Sequence, residues 1–287
     1  MKLIECPRDA MQGLPEFIPT ATKISYLNAL LKVGFDTVDF GSFVSPKAIP
    51  QLRDTAEVLA GLDLGSTRTQ LLAIVANLRG AEAAAGHPEI QYLGFPLSIS
   101  ETFQLRNTNK TIAEAMAELG EMHSVCEQHG KTLVTYLSMG FGNPYGDPWS
   151  PELVAEFTHV LADMGVRIVA LSDTVGISSP ELITPLFSHL VPAFPSVEFG
   201  AHLHTNPATW REKVKAAYDA GCRRFDGAIG GIGGCPMATD TLTGNMPTEN
   251  LVTFFEEHGV VLELDKTAFM EARNLASKAF HLAPPMA

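Results

Sequence analysis

Short apolar runs alternate with longer amphipathic stretches along the whole chain. The runs at 3–6, 37–40, 70–75, 90–95, 132–137, 168–171, 197–201 and 224–226 read as strands. The amphipathic stretches between them include 21–33, 48–59, 111–128, 151–164, 180–190 and 209–220, and read as helices. Punctuation supports several boundaries. Ser150 and Ser179 each precede a proline, the pairing of an N-cap with a first helical residue. Gly34, Gly130, Gly165 and Gly221 stand where helix C-caps belong.

Regular βα alternation is the pattern of an α/β protein with a parallel sheet covered by helices. Eight such units, in a chain somewhat above the ~250 residues typical of the fold, predict a closed (β/α)8 barrel, the TIM-barrel architecture. The alternative, an open doubly wound sheet for a dinucleotide, wants a Gly-x-Gly-x-x-Gly turn after the first strand. Pro7-Arg8-Asp9-Ala10 occupies that place instead. With no linker or low-complexity tract, residues 1–287 are expected to form a single barrel domain. Its last part, about 266–287, is expected to be an extra C-terminal helical segment beginning with a helix at 266–280.

Composition narrows the class of partner. The 287 residues are 46% hydrophobic and carry a formal charge of −12, which suits a soluble globular protein with a large core. No basic stripe is present, so nucleic acid is not expected as a partner. No apolar run approaches the ~18 residues of a membrane span, and charges at Glu5, Arg8 and Asp9 interrupt any leader-like start. Cys6, Cys126, Cys222 and Cys235 show no paired spacing and read as reduced thiols of a cytoplasmic protein. Cys6, Cys126 and Cys222 fall within or beside predicted elements, where inert packing is expected.

In such barrels chemistry gathers at the carboxyl ends of the strands. The first predicted strand runs into Arg8-Asp9, the second carries Asp39, the sixth is followed by Ser172-Asp173-Thr174, and the eighth ends at Asp226. The seventh leads into His202-Leu-His204, whose alternation puts both imidazoles on one side. Each group has a structural reading: a salt-bridged loop start for Arg8-Asp9, a buried carboxylate for Asp39 or Asp226, a helix cap for Asp173, surface histidines for the pair. Taken together on one rim, a carboxylate, two imidazoles and a carboxamide make a mixed oxygen/nitrogen set suited to Mg2+, Mn2+ or Zn2+. After the eighth strand comes Gly230-Gly-Ile-Gly-Gly-Cys-Pro236, then Gly244-Asn245. Glycines before Cys235 suggest a lid, and Cys235 is a candidate acid or nucleophile or a small buried residue of the turn.

Seven pieces carry a family resemblance: Pro7-Arg8-Asp9-x-x-Gln12, Ser42-Phe-Val-Ser-Pro-Lys47, Ser98-x-Ser-Glu101, Ser172-Asp-Thr-x-Gly176, His202-x-His204, Gly233-Gly-Cys-Pro236 and Gly244-Asn245. In this set and order the chain resembles the 3-hydroxy-3-methylglutaryl-CoA (HMG-CoA) lyases, within the wider group of metal-dependent lyase and synthase barrels. The resemblance implies that Asp9, His202, His204 and Asn245 hold a divalent cation, Mg2+ or Mn2+. It implies that Arg8 stabilises an enolate oxygen, that Cys235 takes part in proton transfer, and that Asp39 and Asp173 are supporting or substrate-orienting carboxylates. The implied substrate is an acyl-CoA split into acetoacetate and acetyl-CoA, in leucine breakdown and ketone-body chemistry, by a homo-oligomer. The chain departs from the family at Asp39 (usually Glu), Gly13 (usually Asn), Asn143–Asp147 and Thr205–Ala208. These changes bear on the acyl group. The alternatives are a Claisen-type synthase, an aldolase acting on a free hydroxy acid, and a non-catalytic metal-binding barrel.

Overall fold

The computed structural model describes residues 1–234 and 243–280. The chain begins with β1 (Lys2–Glu5), α1 (Pro7–Gln12), α2 (Thr20–Val33), β2 (Thr37–Ser42) and α3 (Thr55–Ala60). It continues through β3 (Gln70–Ile74), α4 (Leu78–Ala85), β4 (Ile90–Ser98), α5 (Glu101–Thr108), α6 (Ile112–Gln128) and β5 (Thr132–Ser138). It finishes with α7 (Pro151–Asp163), β6 (Ile168–Ser172), α8 (Pro180–Ala193), β7 (Glu198–His202), α9 (Trp210–Asp219), β8 (Arg224–Gly227), α10 (Thr248–Glu257) and α11 (Lys266–Ala279). The eight strands close in sequence order, with β1 paired parallel to both β2 and β8. All eight coincide with the predicted runs.

The helical expectation holds for the longer segments. Thr111 and Glu114 form a reciprocal capping box on α6, and Ser150 caps α7 by accepting the Leu153 amide. Ser179 precedes α8 without a side-chain cap bond. The predicted helix at 48–59 is corrected to a short 3-10 turn (Pro50–Leu52) followed by α3. Pro50 has no N–H to donate and disfavours helical geometry at the residue before it, so one continuous helix cannot form. Helices α1, α4, α5 and α10 fall outside the sequence expectation.

Strand alternation creates two cores. Leu72, Ile74, Val134, Tyr136, Ile168 and Ala170 form a small cluster in the bore. Leu71, Ala73, Leu133 and Val169 belong to the large cluster between strands and helices. The amino-terminal end of the bore is plugged by charge. The buried Arg224 guanidinium meets Glu198 at 3.3 Å, and Lys2 meets the same glutamate at 2.6 Å. Helix α11 packs on α2, with Phe280 edge-on to Tyr26 at 5.6 Å and Phe269 edge-on to Phe35 at 6.0 Å. It therefore adds an outer layer over α2 and accounts for the helix expected at 266–280, while residues 281–287 of the expected C-terminal segment lie outside the described residues. No helix among the described residues is long and apolar enough to cross a membrane.

Glu5 sits between the sheet and its helices, fully buried. It accepts hydrogen bonds from the Ile229 amide (2.9 Å) and the Thr248 hydroxyl (2.5 Å). Burial, reinforced by the nearby Glu249 and only partly offset by these bonds, pushes its carboxyl up to about 8. The unfolded chain ionises this group near 4.5, whereas the folded protein keeps the proton until about 8. Glu5 therefore contributes stability below that window and loses it as pH rises from about 4.5 to about 8. Glu5→Gln keeps an acceptor for Ile229 and offers a donor to Thr248. The variant is expected to gain stability relative to wild type, on the order of a few kcal/mol, as urea unfolding is moved from pH 5 to pH 9. A difference that does not change with pH would show that Glu5 is ionised in the folded state.

Candidate metal centre at the carboxyl rim

Arg8 and Asp9 lie not in the strand but on α1, a six-residue helix started by Pro7. One helical turn gathers three side chains. Arg8 Nη1 donates to Asp9 Oδ1 (2.9 Å) and to Gln12 Oε1 (2.8 Å), and Gln12 Nε2 donates to the same Asp9 oxygen at 2.5 Å. From β2, Asp39 Oδ2 receives both Arg8 Nε (2.9 Å) and Nη2 (2.6 Å). Asp39 Oδ1 is buried without a hydrogen-bond partner. Burial pushes the Asp39 carboxyl up to about 6 although Arg8 opposes the shift. For Asp9 the balance reverses. Burial raises its pKa, but Arg8, His202, His204 and Asn245 together hold it below the usual carboxylate range.

His202 ends β7, and its register neighbour Asp226 on β8 accepts from Nδ1 at 3.1 Å. A carboxylate behind an imidazole fixes ring orientation and tautomer, the usual support of a metal-binding histidine. Tyr136 packs edge-on against the His202 ring at 5.6 Å. His204 follows just beyond the strand, in an isolated bridge with Asn245. The two imidazole rings are 5.3 Å apart. Burial, then His202, pushes His204 down to about 4, which keeps it a neutral ring with one nitrogen lone pair to offer. Its Nδ1 is buried with no hydrogen-bond partner.

Asn245 closes the set. Its Nδ2 donates to Asp9 Oδ2 (2.7 Å) and to the Ile232 carbonyl (2.8 Å), which turns the amide oxygen into its remaining donor to a cation. Donor atoms of Asp9, His202 and His204 all lie within 4.8 Å of one another. A neutral buried histidine with an orphaned nitrogen, a low-pKa carboxylate and a carboxamide fit a divalent cation. Gly233 makes this closure possible. Its φ is +98°, and a Cβ there would stand 2.7 Å from Asn245 Nδ2 and 2.8 Å from the Asp9 carbonyl.

A cavity of about 220 Å3 opens at this rim. Arg8, Asp9, Gln12, His202 and His204 form its polar side, and Val44, Ile49, Pro96 and Phe103 face them. Asp39 and Asp173 do not line it. Asp173, expected as a cap or an orienting carboxylate, accepts from Ser178 Oγ (2.5 Å) and from Lys213 Nζ at 2.8 Å. The buried Lys213 ammonium also donates to the His204 carbonyl at 2.9 Å. Asp173 is thus linked to the His204 backbone through Lys213, a residue the sequence reading missed. Cys235 lies outside the described residues. Cys126 and Cys222 are buried and belong to the large hydrophobic cluster, as expected. Cys6 is buried too but belongs to neither hydrophobic cluster, which corrects the expectation of plain packing.

An eight-stranded parallel barrel with a carboxylate, two imidazoles, a carboxamide and a buried arginine on its carboxyl rim is the framework of a (β/α)8 enzyme with a candidate metal site. Comparison with known proteins narrows the class. A family profile described as HMGL-like matches residues 3–276, and the chain belongs to that family. It is 34% identical to the hydroxymethylglutaryl-CoA lyase of Bacillus subtilis, over 88% of this chain and 83% of that protein. It is 31% identical to the (R)-citramalyl-CoA lyase of Chloroflexus aurantiacus, over 94% and 88% of the two chains. An HMG-CoA lyase of A. baumannii, solved with coenzyme A and 3-methylmalate, superposes with a TM-score of 0.91 at 31% identity, covering 100% of this chain and 93% of that one. The carboxyl transferase domain of Rhizobium etli pyruvate carboxylase shares the fold alone, at 17% identity and a TM-score of 0.70.

Proposed function

We propose that this protein is a divalent-metal-dependent carbon–carbon lyase that cleaves HMG-CoA to acetoacetate and acetyl-CoA. The observation that supports it most is the convergence of Asp9, His202, His204 and Asn245 beside Arg8 in a chain of this family. Mg2+ or Mn2+ held by these four residues would supply Lewis acidity toward the hydroxyl and carboxylate oxygens of the substrate. The remaining chemistry falls to the chain. Once the tertiary hydroxyl passes its proton to water, the adjacent C–C bond breaks, the oxygen becomes the ketone of acetoacetate, and the electron pair of the broken bond passes to a thioester enolate. Arg8, held rigid by Asp39, Asp9 and Gln12, is a fixed cation for that charge. Asp39 orients Arg8, and Asp173 holds the His204 backbone through Lys213. Cys235 is the proposed acid that protonates the enolate carbon, giving acetyl-CoA. A cytoplasmic homo-oligomer serving leucine breakdown and ketone-body formation is the setting this reading proposes.

The similarity to a citramalyl-CoA lyase, 31% over nearly the full length, favours one second reading, in which the carbinol carries its carboxylate directly. The test is to incubate the purified protein with each thioester in Mg2+ or Mn2+, and to assay acetoacetate and pyruvate. Acetoacetate formation that stops in EDTA and returns with Mn2+ is expected. Pyruvate alone would transfer the assignment to the second reading. Full activity after verified metal removal would refute both.

A further inference from the structure

His202 belongs to two clusters. Besides the rim set, it joins Cys6 and Asp226, whose sulfur, ring nitrogen and carboxylate oxygen also lie within 4.8 Å of one another. All three stand on fixed backbone. The Cys6 amide donates to the Gly227 carbonyl at 2.8 Å, His202 ends β7, and Asp226 is paired in register with both His202 and Ile4. The Cys6 thiol makes only a long contact, 3.9 Å, to the Ile4 carbonyl. Asp226 is 3% exposed, and its Oδ1 is buried with no hydrogen-bond partner. The Tyr136 hydroxyl and Asp39 Oδ1, also in the bore, are orphaned in the same way.

We infer that Cys6, His202 and Asp226 form a second cation site, sharing His202 with the rim set, that takes a thiophilic divalent ion such as Zn2+ or Cd2+ and inhibits the enzyme when filled. Sulfur selects soft ions and rejects Mg2+ and Mn2+, which prefer oxygen. One donor pair is already near tetrahedral spacing. His202 Nδ1 and Asp226 Oδ2 are 3.1 Å apart, against the ~3.3 Å edge made by two donors at about 2.0 Å from zinc. Binding displaces to solvent both the Cys6 thiol proton and the His202 Nδ1 proton that Asp226 otherwise accepts. It also satisfies the buried carboxylate and replaces the Asp226–His202 hydrogen bond that orients the ring. Inhibition follows from that loss of support and from a second positive charge beside the first. The inhibition rests on the lyase reading; the binding does not.

The test is a Cd2+ titration with Mn2+ in excess, followed by the near-ultraviolet thiolate-to-cadmium charge-transfer band. Wild type and Cys235→Ser are expected to develop the band with one equivalent of Cd2+, and Cys6→Ser to lack it. The Zn2+ concentration that halves each protein's own Mn2+ activity is expected to rise about tenfold or more in Cys6→Ser. A wild type without the band, or Cys6→Ser with it, overturns the site. Equal Zn2+ inhibition of both proteins overturns the inhibitory role, because zinc would then be replacing Mn2+ at the rim. A Cys6-dependent band in a protein that neither binds Mn2+ nor cleaves the thioester would refute the lyase reading and leave the second site standing.

Discussion

Replacing His202 by alanine is expected to lower kcat by at least about a thousandfold, some 4 kcal/mol of barrier. The imidazole is bonded to Asp226, packed under Tyr136 and 5.3 Å from its partner ring, so its position is set from three sides. Its loss removes one ligand and strands Asp226, which already has one orphaned oxygen. Cation affinity and turnover should therefore fall together. Asp226→Asn keeps the ring and removes only its carboxylate support, so a smaller loss, about 10- to 100-fold in cation affinity, is expected. Mn2+ binding followed by electron paramagnetic resonance, alongside steady-state kinetics, separates the two. Near-native Mn2+ affinity in the alanine variant would remove His202 from the ligand set.

Arg8→Lys is expected to cost kcat about 10^3-fold while changing KM by only a few-fold. Arg8 spends its fork on four contacts: Nε and Nη2 to Asp39, and Nη1 to Asp9 and Gln12. An ammonium is a point charge with three donors and cannot reproduce that planar fork. Two further consequences follow in the buried rim. Asp39 and Asp9 would be left close together with less compensation, and the cation meant for the developing enolate would no longer be held in place. Because the enolate charge exists only late in the reaction, the defect belongs in turnover rather than in substrate binding. A variant whose KM rises while kcat is kept would contradict this role.

The barrel itself was readable in the chain. Eight apolar runs recurring between amphipathic stretches leave a closed parallel sheet as the simplest way to bury both. The placement of these residues at the rim was readable as well: Asp9 and His204 lie just beyond strand ends, His202 ends β7, and Asn245 belongs to the segment after β8, all at the carboxyl end of the barrel. The short helices were less so. α1, α4, α5 and α10 span six to ten residues and are held by tertiary packing more than by propensity. Arg8 and Asp9 were read as a strand end for the same reason.

What local sequence determines is therefore which residues alternate, which turns break and which polar groups reach the rim. Pairings between distant positions are decided only when the sheet closes and its register is set. Asp226 is 24 residues from His202, Lys213 is 40 from Asp173, and Thr248 is 243 from Glu5. No periodicity encodes such pairs. Their meeting follows from strand order and parallel register, which place β8 beside both β7 and β1. The sequence shows that Cys6 follows a strand. Only the closed barrel puts its sulfur beside His202 and Asp226, in a bore where burial leaves each polar group dependent on the few neighbours the fold provides.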